Sequence, residues 1–186
     1  MVFEKIKISN ILRIRGYKYF ADDKVNKIFI TNLKIAMVYA YYCKSKEVLV
    51  FTDNMYKHSI RVVTSNSDEK VSIPKDIRDT ISSVGYEKEV MFIHNHPTNS
   101  TFSVLDVLTF LNLSAIKYLV VITNSCQYVA ILEKTAGIPF QIQLNWIKYI
   151  RYLMIKDNLT HHSTARHIID EMVNHNVVKY KEFKMY

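Results

Sequence analysis

The chain has 186 residues, 49% of them hydrophobic, with 13 Tyr and 9 Phe; that composition excludes disorder and suits one globular domain with its own core. Its formal charge of +8 is spread along the chain rather than gathered in a run, which makes solubility the first reading and an acidic partner such as nucleic acid the lesser one. Two cysteines, Cys43 and Cys126, make no Cys-x-x-Cys pair, so neither a disulfide framework nor a thiolate zinc knuckle is expected.

Residues 1–7 alternate charged and apolar types and lack the continuous apolar stretch of a secretory signal. The longest apolar runs, such as Tyr118 to Thr123, have strand length and fall short of the roughly 20 residues of a membrane span. A cytoplasmic chain without membrane contact is the expectation. Residues 1–26 are taken as an N-terminal segment, 27–136 as the core and 137–186 as a C-terminal extension.

Within the core, the dense apolar spacing from Asn32 to Lys44 reads as a buried helix, although its β-branched and aromatic residues also suit a strand. Glu47 to Thr52 and Ser59 to Thr64, separated by the turn signal Asp53-Asn54, read as a hairpin. Pro74 opens a two-turn helix with Ile77 and Ile81 on one side, ending before Gly85. A strand is expected over Glu89 to Ile93, a loop over Asn95 to Phe102, and a helix over Ser103 to Leu113 with a broad apolar face. Strands over Tyr118 to Thr123 and Tyr128 to Glu133 complete a mixed α/β layer structure, a sheet covered by helices. Beyond Gly137-Ile138-Pro139, Ile142 to Ile155 and Thr164 to Val173 carry amphipathic helical patterns, so the extension reads as helical.

The chemistry-bearing stretch runs from His94 to Asp106. His94 and His96 are one residue apart at the end of a strand, where side chains alternate, so their imidazoles share a face and can meet one metal. Pro97 turns the chain off the sheet. Ser103 and Asp106, three apart at a helix start, are neighbours on its first turn. Two imidazoles and one carboxylate leave a fourth position on Zn²⁺ for water, the catalytic rather than the structural pattern. Taken alone, Ser103-x-x-Asp106 reads first as an N-cap with an acidic third residue; it is the histidine pair immediately upstream, which capping does not explain, that gives it the metal-site reading.

His94-x-His96-Pro97 followed by Ser103-x-x-Asp106 resembles the signature of the JAMM (JAB, MPN+) zinc metallopeptidases over about residues 27 to 135. The resemblance implies a cytidine-deaminase-like layer architecture, zinc on His94, His96 and Asp106, and Ser103 as a stabiliser of the tetrahedral intermediate. It also implies a general-base glutamate on an earlier strand; Glu47 is the choice, with Glu69, Glu87 and Glu89 as alternatives. Six residues separate His96 from Ser103, one fewer than in the eukaryotic deubiquitinases and RadC-type proteins, and the stretch is more similar to bacterial JAMM domains of phage, toxin and defence contexts. The implied activity is hydrolysis of peptide or isopeptide bonds in a protein substrate, ubiquitin-like proteins included. The rival readings are a non-catalytic JAMM-like scaffold and a RadC-like nucleic-acid protein. The five other histidines and both cysteines are read as surface or packing residues.

Overall fold

The computed structural model describes residues 5–14, 18–44, 46–52, 60–64, 73–83, 90–96, 100–157 and 162–185. Its centre is one six-stranded mixed sheet in the order β2-β1-β3-β4-β5-β6, formed by β1 (Val48–Thr52), β2 (Ile60–Thr64), β3 (Val90–His96), β4 (Ile116–Thr123), β5 (Tyr128–Lys134) and β6 (Val178–Lys184). Only the β3–β4 pair is parallel; the others are antiparallel. The expected hairpin forms, with Val48 opposite Thr64 and Thr52 opposite Ile60.

The alternation of strand side chains divides the core in two. Val48, Val50, Met91, Ile93, Val120, Ile122, Val129 and Ile131 pack with Ile6, Ile14, Tyr19, helix α1 (Ile8–Leu12) and helix α2 (Asp23–Tyr42) on one face. Leu49, Phe51, Phe92, Leu119, Val121, Ala130 and Leu132 pack on the other, against helices α3 (Lys75–Ser83), α4 (Val104–Asn112), α5 (Phe140–Asp157) and α6 (His162–Asn174). Helix α2 begins well before the expected Asn32, because Asp22 accepts hydrogen bonds from the amides of Lys24 and Val25 at 2.8 and 3.0 Å and caps it. Val25, Ile28, Phe29, Leu33, Ala36, Met37 and Ala40 then form a continuous buried stripe at helical spacing. Gly137, at φ +77°, turns the chain between β5 and α5. No described helix is long and apolar enough to cross a membrane.

Two expectations need correction. The strand expected to stop at Ile93 continues to His96: Asn95 and His96 stay in register with Ile122 and Thr123, and the amide of Asn124 donates to the His96 carbonyl at 2.9 Å. Both histidines therefore stand on the sheet and not in a loop. The extension 137–186 is helical over α5 and α6 but ends in β6, which pairs with β5 from Val178 opposite Lys134 to Lys184 opposite Tyr128. Lys179, Lys181, Glu182 and Lys184 hide its pattern from a hydrophobicity reading, yet such charges are what an edge strand tolerates. The turn Asp53-Asn54, Gly85 and Glu89 lie outside the described residues.

Candidate metal centre

Residue parity along β3 decides what faces where. Val90 and Phe92 point toward the α4 layer and Met91 and Ile93 toward α2, so His94 and His96 fall on the α4 side and Asn95 on the α2 side. Directly across from the histidines is the first turn of α4. Phe102 and Val104, each 1% exposed, pin that helix start to the core. Ser103 is its N-cap, and Asp106 at the third helical position completes a capping box. The Ser103 amide and hydroxyl both donate to Asp106 Oδ2 at 2.7 Å, and the Asp106 amide donates to Ser103 Oγ at 3.2 Å. The capping reading and the site reading of Ser103-x-x-Asp106 thus hold together, since the carboxylate that closes the cap also faces the imidazoles.

His94 Nε2 and His96 Nε2 are 3.0 Å apart. Asp106 Oδ1 lies 3.2 Å from the first and Asp106 Oδ2 3.2 Å from the second. Glu47, the residue just before β1, sets its Oε1 3.8 Å from His94 Nε2 and 3.7 Å from His96 Nε2. His94, His96 and Glu47 are all buried. His96 Nδ1 lies 3.2 Å from the Ser100 carbonyl. A carbonyl only accepts, so this nitrogen carries a proton and Nε2 is the ring nitrogen turned to the cluster.

Burial works against a charged His94, but the carboxylates of Asp106 and then Glu47 outweigh it and raise its pKa above the ordinary value. Burial likewise pushes Asp106 up, and His94 and His96 more than offset it, holding the carboxyl well below the usual range. The site is therefore built to keep a carboxylate ionised beside two nitrogen donors. Glu47, His94 and His96 offer ligand atoms within 4.8 Å of one another, and this buried group can hold a metal ion. No family model matches the chain, and neither a curated protein nor a solved structure does.

All five residues singled out in the sequence, Glu47, His94, His96, Ser103 and Asp106, come together here. Glu69, Glu87 and Glu89 lie outside the described residues. Sequence reading passed over Asn95, which is fully buried and spends its amide on three partners: Oδ1 accepts from the Val48 amide at 2.7 Å, and Nδ2 donates to the Lys46 carbonyl at 3.1 Å and to Asn124 Oδ1 at 2.7 Å. Its signal was parity, because a polar residue between two site residues on a central strand must face the opposite core and needs partners there. Ser100 carried no such signal, since its contribution is a backbone carbonyl.

Outside this centre, His167 and His175 are exposed, and His58 and His161 lie outside the described residues. Cys126 is buried, and burial pushes its thiol up to about 12; it behaves as a small hydrophobe and not as a nucleophile.

Proposed function

We propose that the chain is a zinc-dependent hydrolase of peptide or isopeptide bonds, of the JAMM metallopeptidase type its motif resembles. The observation that carries this reading is that His94 Nε2 and His96 Nε2 stand 3.0 Å apart, with Asp106 Oδ1 3.2 Å from the first and Asp106 Oδ2 3.2 Å from the second. Zinc–ligand bonds of about 2.0–2.1 Å in a tetrahedron place neighbouring ligand atoms roughly 3.3 Å apart, close to each of these pairwise separations. Glu47, at 3.7 and 3.8 Å from the two nitrogens, lies beyond that edge length. The distances favour Asp106 as third ligand and leave Glu47 beside the ion as a base.

Zinc held by His94, His96 and Asp106 would supply Lewis acidity toward a substrate carbonyl and toward water. The residues supply the rest. Glu47, buried next to the cluster, takes the proton from the attacking water and hands it to the leaving amine. The Ser103 hydroxyl serves the oxyanion, for which it must release its 2.7 Å bond to Asp106 Oδ2. The Ser100 carbonyl fixes the tautomer of His96, and Asn95 fixes the backbone on either side of Glu47. The substrate is a protein or peptide, and the JAMM resemblance makes ubiquitin-like conjugates the first to screen.

The complete donor set, with the base in place, argues against a scaffold that has lost its chemistry. Elemental analysis of the chain purified without chelator tests the reading: about one zinc per chain is expected, lost in His96→Ala. Glu47→Gln should keep the zinc and lose hydrolysis of an isopeptide-linked substrate. No zinc in the wild-type chain after reconstitution, or full activity in Glu47→Gln, defeats the assignment.

A further inference from the structure

The turn that joins β4 to β5 is polar in composition, yet Thr123, Asn124 and Ser125 are all buried in it, where such a turn ordinarily lies in water. It is held by more bonds than a reversal of the chain requires. The Cys126 amide donates to the Thr123 carbonyl at 2.8 Å. The Thr123 hydroxyl accepts from the Tyr128 amide at 3.2 Å and lies 3.1 Å from the Ser125 hydroxyl, which accepts from the Gln127 amide at 3.3 Å. Cys126 sits at φ +58°, a left-handed conformation that a residue other than glycine keeps where its surroundings impose it. From this fixed corner Asn124 reaches back to β3 twice. Its amide donates to the His96 carbonyl at 2.9 Å, and its Oδ1 accepts from Asn95 Nδ2 at 2.7 Å.

We infer that Asn124 is a positioning residue for Glu47, acting through Asn95: its carboxamide oxygen locks the one orientation of the Asn95 side chain that holds both peptide groups beside the proposed base. Asn95 has two amide hydrogens to place. Its Oδ1 is committed to the Val48 amide, which can only donate, and one Nδ2 hydrogen to the Lys46 carbonyl, which can only accept. The second Nδ2 hydrogen is buried with the rest of the residue and goes to Asn124. Without that oxygen the hydrogen has no partner, a cost that Asn95 can relieve by rotating, and rotation breaks the bonds on either side of Glu47. A residue that served only its own turn would have no need of this contact. Thr123 and Ser125 close the turn, while the Asn124 oxygen leaves it for a strand residue 29 positions earlier. Because the Asn124 amide is tied to His96, its oxygen is referenced to the strand that carries the histidines, so the base is aimed from the same frame as the ligands.

In its readout on turnover this inference rests on the hydrolase reading; in its readout on the Val48 amide it does not. The test uses the full chain with three variants. Asn124→Leu keeps the backbone amide and the side-chain bulk but deletes the acceptor, Asn124→Ala deletes it without branched bulk, and Asn124→Asp keeps an acceptor at the same reach. Turnover is measured on an isopeptide-linked substrate, zinc affinity by competition with a chromophoric chelator, and the ¹H shift of the Val48 amide by NMR in metal-free protein. Asn124→Leu and Asn124→Ala should lower kcat by about tenfold, the lower end of what partners outside the ligand shell contribute, with KM and zinc affinity at wild-type values. The Val48 shift should move in both. Asn124→Asp should restore the shift and most of kcat. Adding Asn124→Leu to Asn95→Leu should lower kcat no further than Asn95→Leu alone, because the oxygen acts through Asn95. Ile169→Val, a truncation of a buried α6 residue, should lower stability and leave kcat and the Val48 shift unchanged. Wild-type kcat and an unmoved Val48 shift in Asn124→Leu and Asn124→Ala would overturn the inference, as would a double variant whose loss is the product of the single ones. If the wild-type chain neither takes up zinc nor hydrolyses the substrate, the hydrolase reading fails and the Val48 shift alone decides the role of Asn124.

Discussion

The side chain of Asn95 brackets Glu47: its Oδ1 accepts from the Val48 amide and its Nδ2 donates to the Lys46 carbonyl, the peptide groups on either side of the proposed base. The residue that separates the two histidines thus aims the acid across from them. One strand serves both purposes because its faces alternate. Asn95→Leu keeps the volume and removes the three hydrogen bonds, so the denaturation free energy should fall by about 3 kcal/mol. Zinc content should persist, since His94 and His96 face the other side, while hydrolysis should drop through a misplaced Glu47. A variant with the wild-type denaturation midpoint and full turnover would show that the bracket is idle.

The site was more legible in the sequence than the frame around it. His94, His96, Ser103 and Asp106 lie within thirteen residues, and local rules of strand alternation and helix capping are enough to bring them onto one spot. Glu47 is distant in sequence, but its place just before an apolar strand was a usable sign. Less visible were features whose reasons are tertiary. β3 runs on to His96 because β4 offers it partners, and β6 forms because β5 has an open edge; neither reason is written in the segment itself. The first half of α2 was missed although Asp22 marks its start, because Lys24, Asn26 and Lys27 dilute the apolar stripe.

Ser103 has two tasks that one substitution can separate by magnitude. Ser103→Ala removes the side-chain cap of α4 and should cost about 1 kcal/mol of stability. As an oxyanion donor its loss should lower kcat roughly 100-fold, far more than a helix start loosened by that amount would explain. Unchanged kcat with the expected loss of stability would reduce Ser103 to a cap. Asp106→Asn weakens the same cap and also the proposed ligand set, so it should lose zinc, which Ser103→Ala should retain.

Zinc should act on stability as a ligand of the folded chain only. At a free concentration one hundred times the dissociation constant the gain is about 2.7 kcal/mol, visible as a melting temperature that rises with added zinc and falls again on chelation. His94→Ala should flatten this response. A melting temperature indifferent to zinc and to chelator in the wild-type chain would count against a site in the native fold.

Lys134 supplies a pH dependence unconnected with the centre. Its ammonium donates to the Leu113 carbonyl at 2.7 Å and sits 4.9 Å from the Phe110 ring centroid, where burial lowers its pKa to about 7 from the ordinary 10.5. Between those two values the unfolded chain holds the proton and the folded chain does not, so stability must rise as pH climbs from about 7 to about 10.5 and must be lowest, on this account, below 7. Lys134→Met keeps an unbranched apolar stem and leaves the Leu113 carbonyl its bond from the Ile116 amide at 3.1 Å. The variant should be more stable than the wild type by about 1 kcal/mol at pH 6, a figure well below the full titration gap because the carbonyl and the ring favour the ammonium it loses. The wild type should catch up as the pH approaches 10. Urea denaturation at pH 6, 8 and 10 measures both curves; a difference between them that stays constant with pH would mean that Lys134 keeps its proton in the folded chain and that the carbonyl and the ring outweigh its burial.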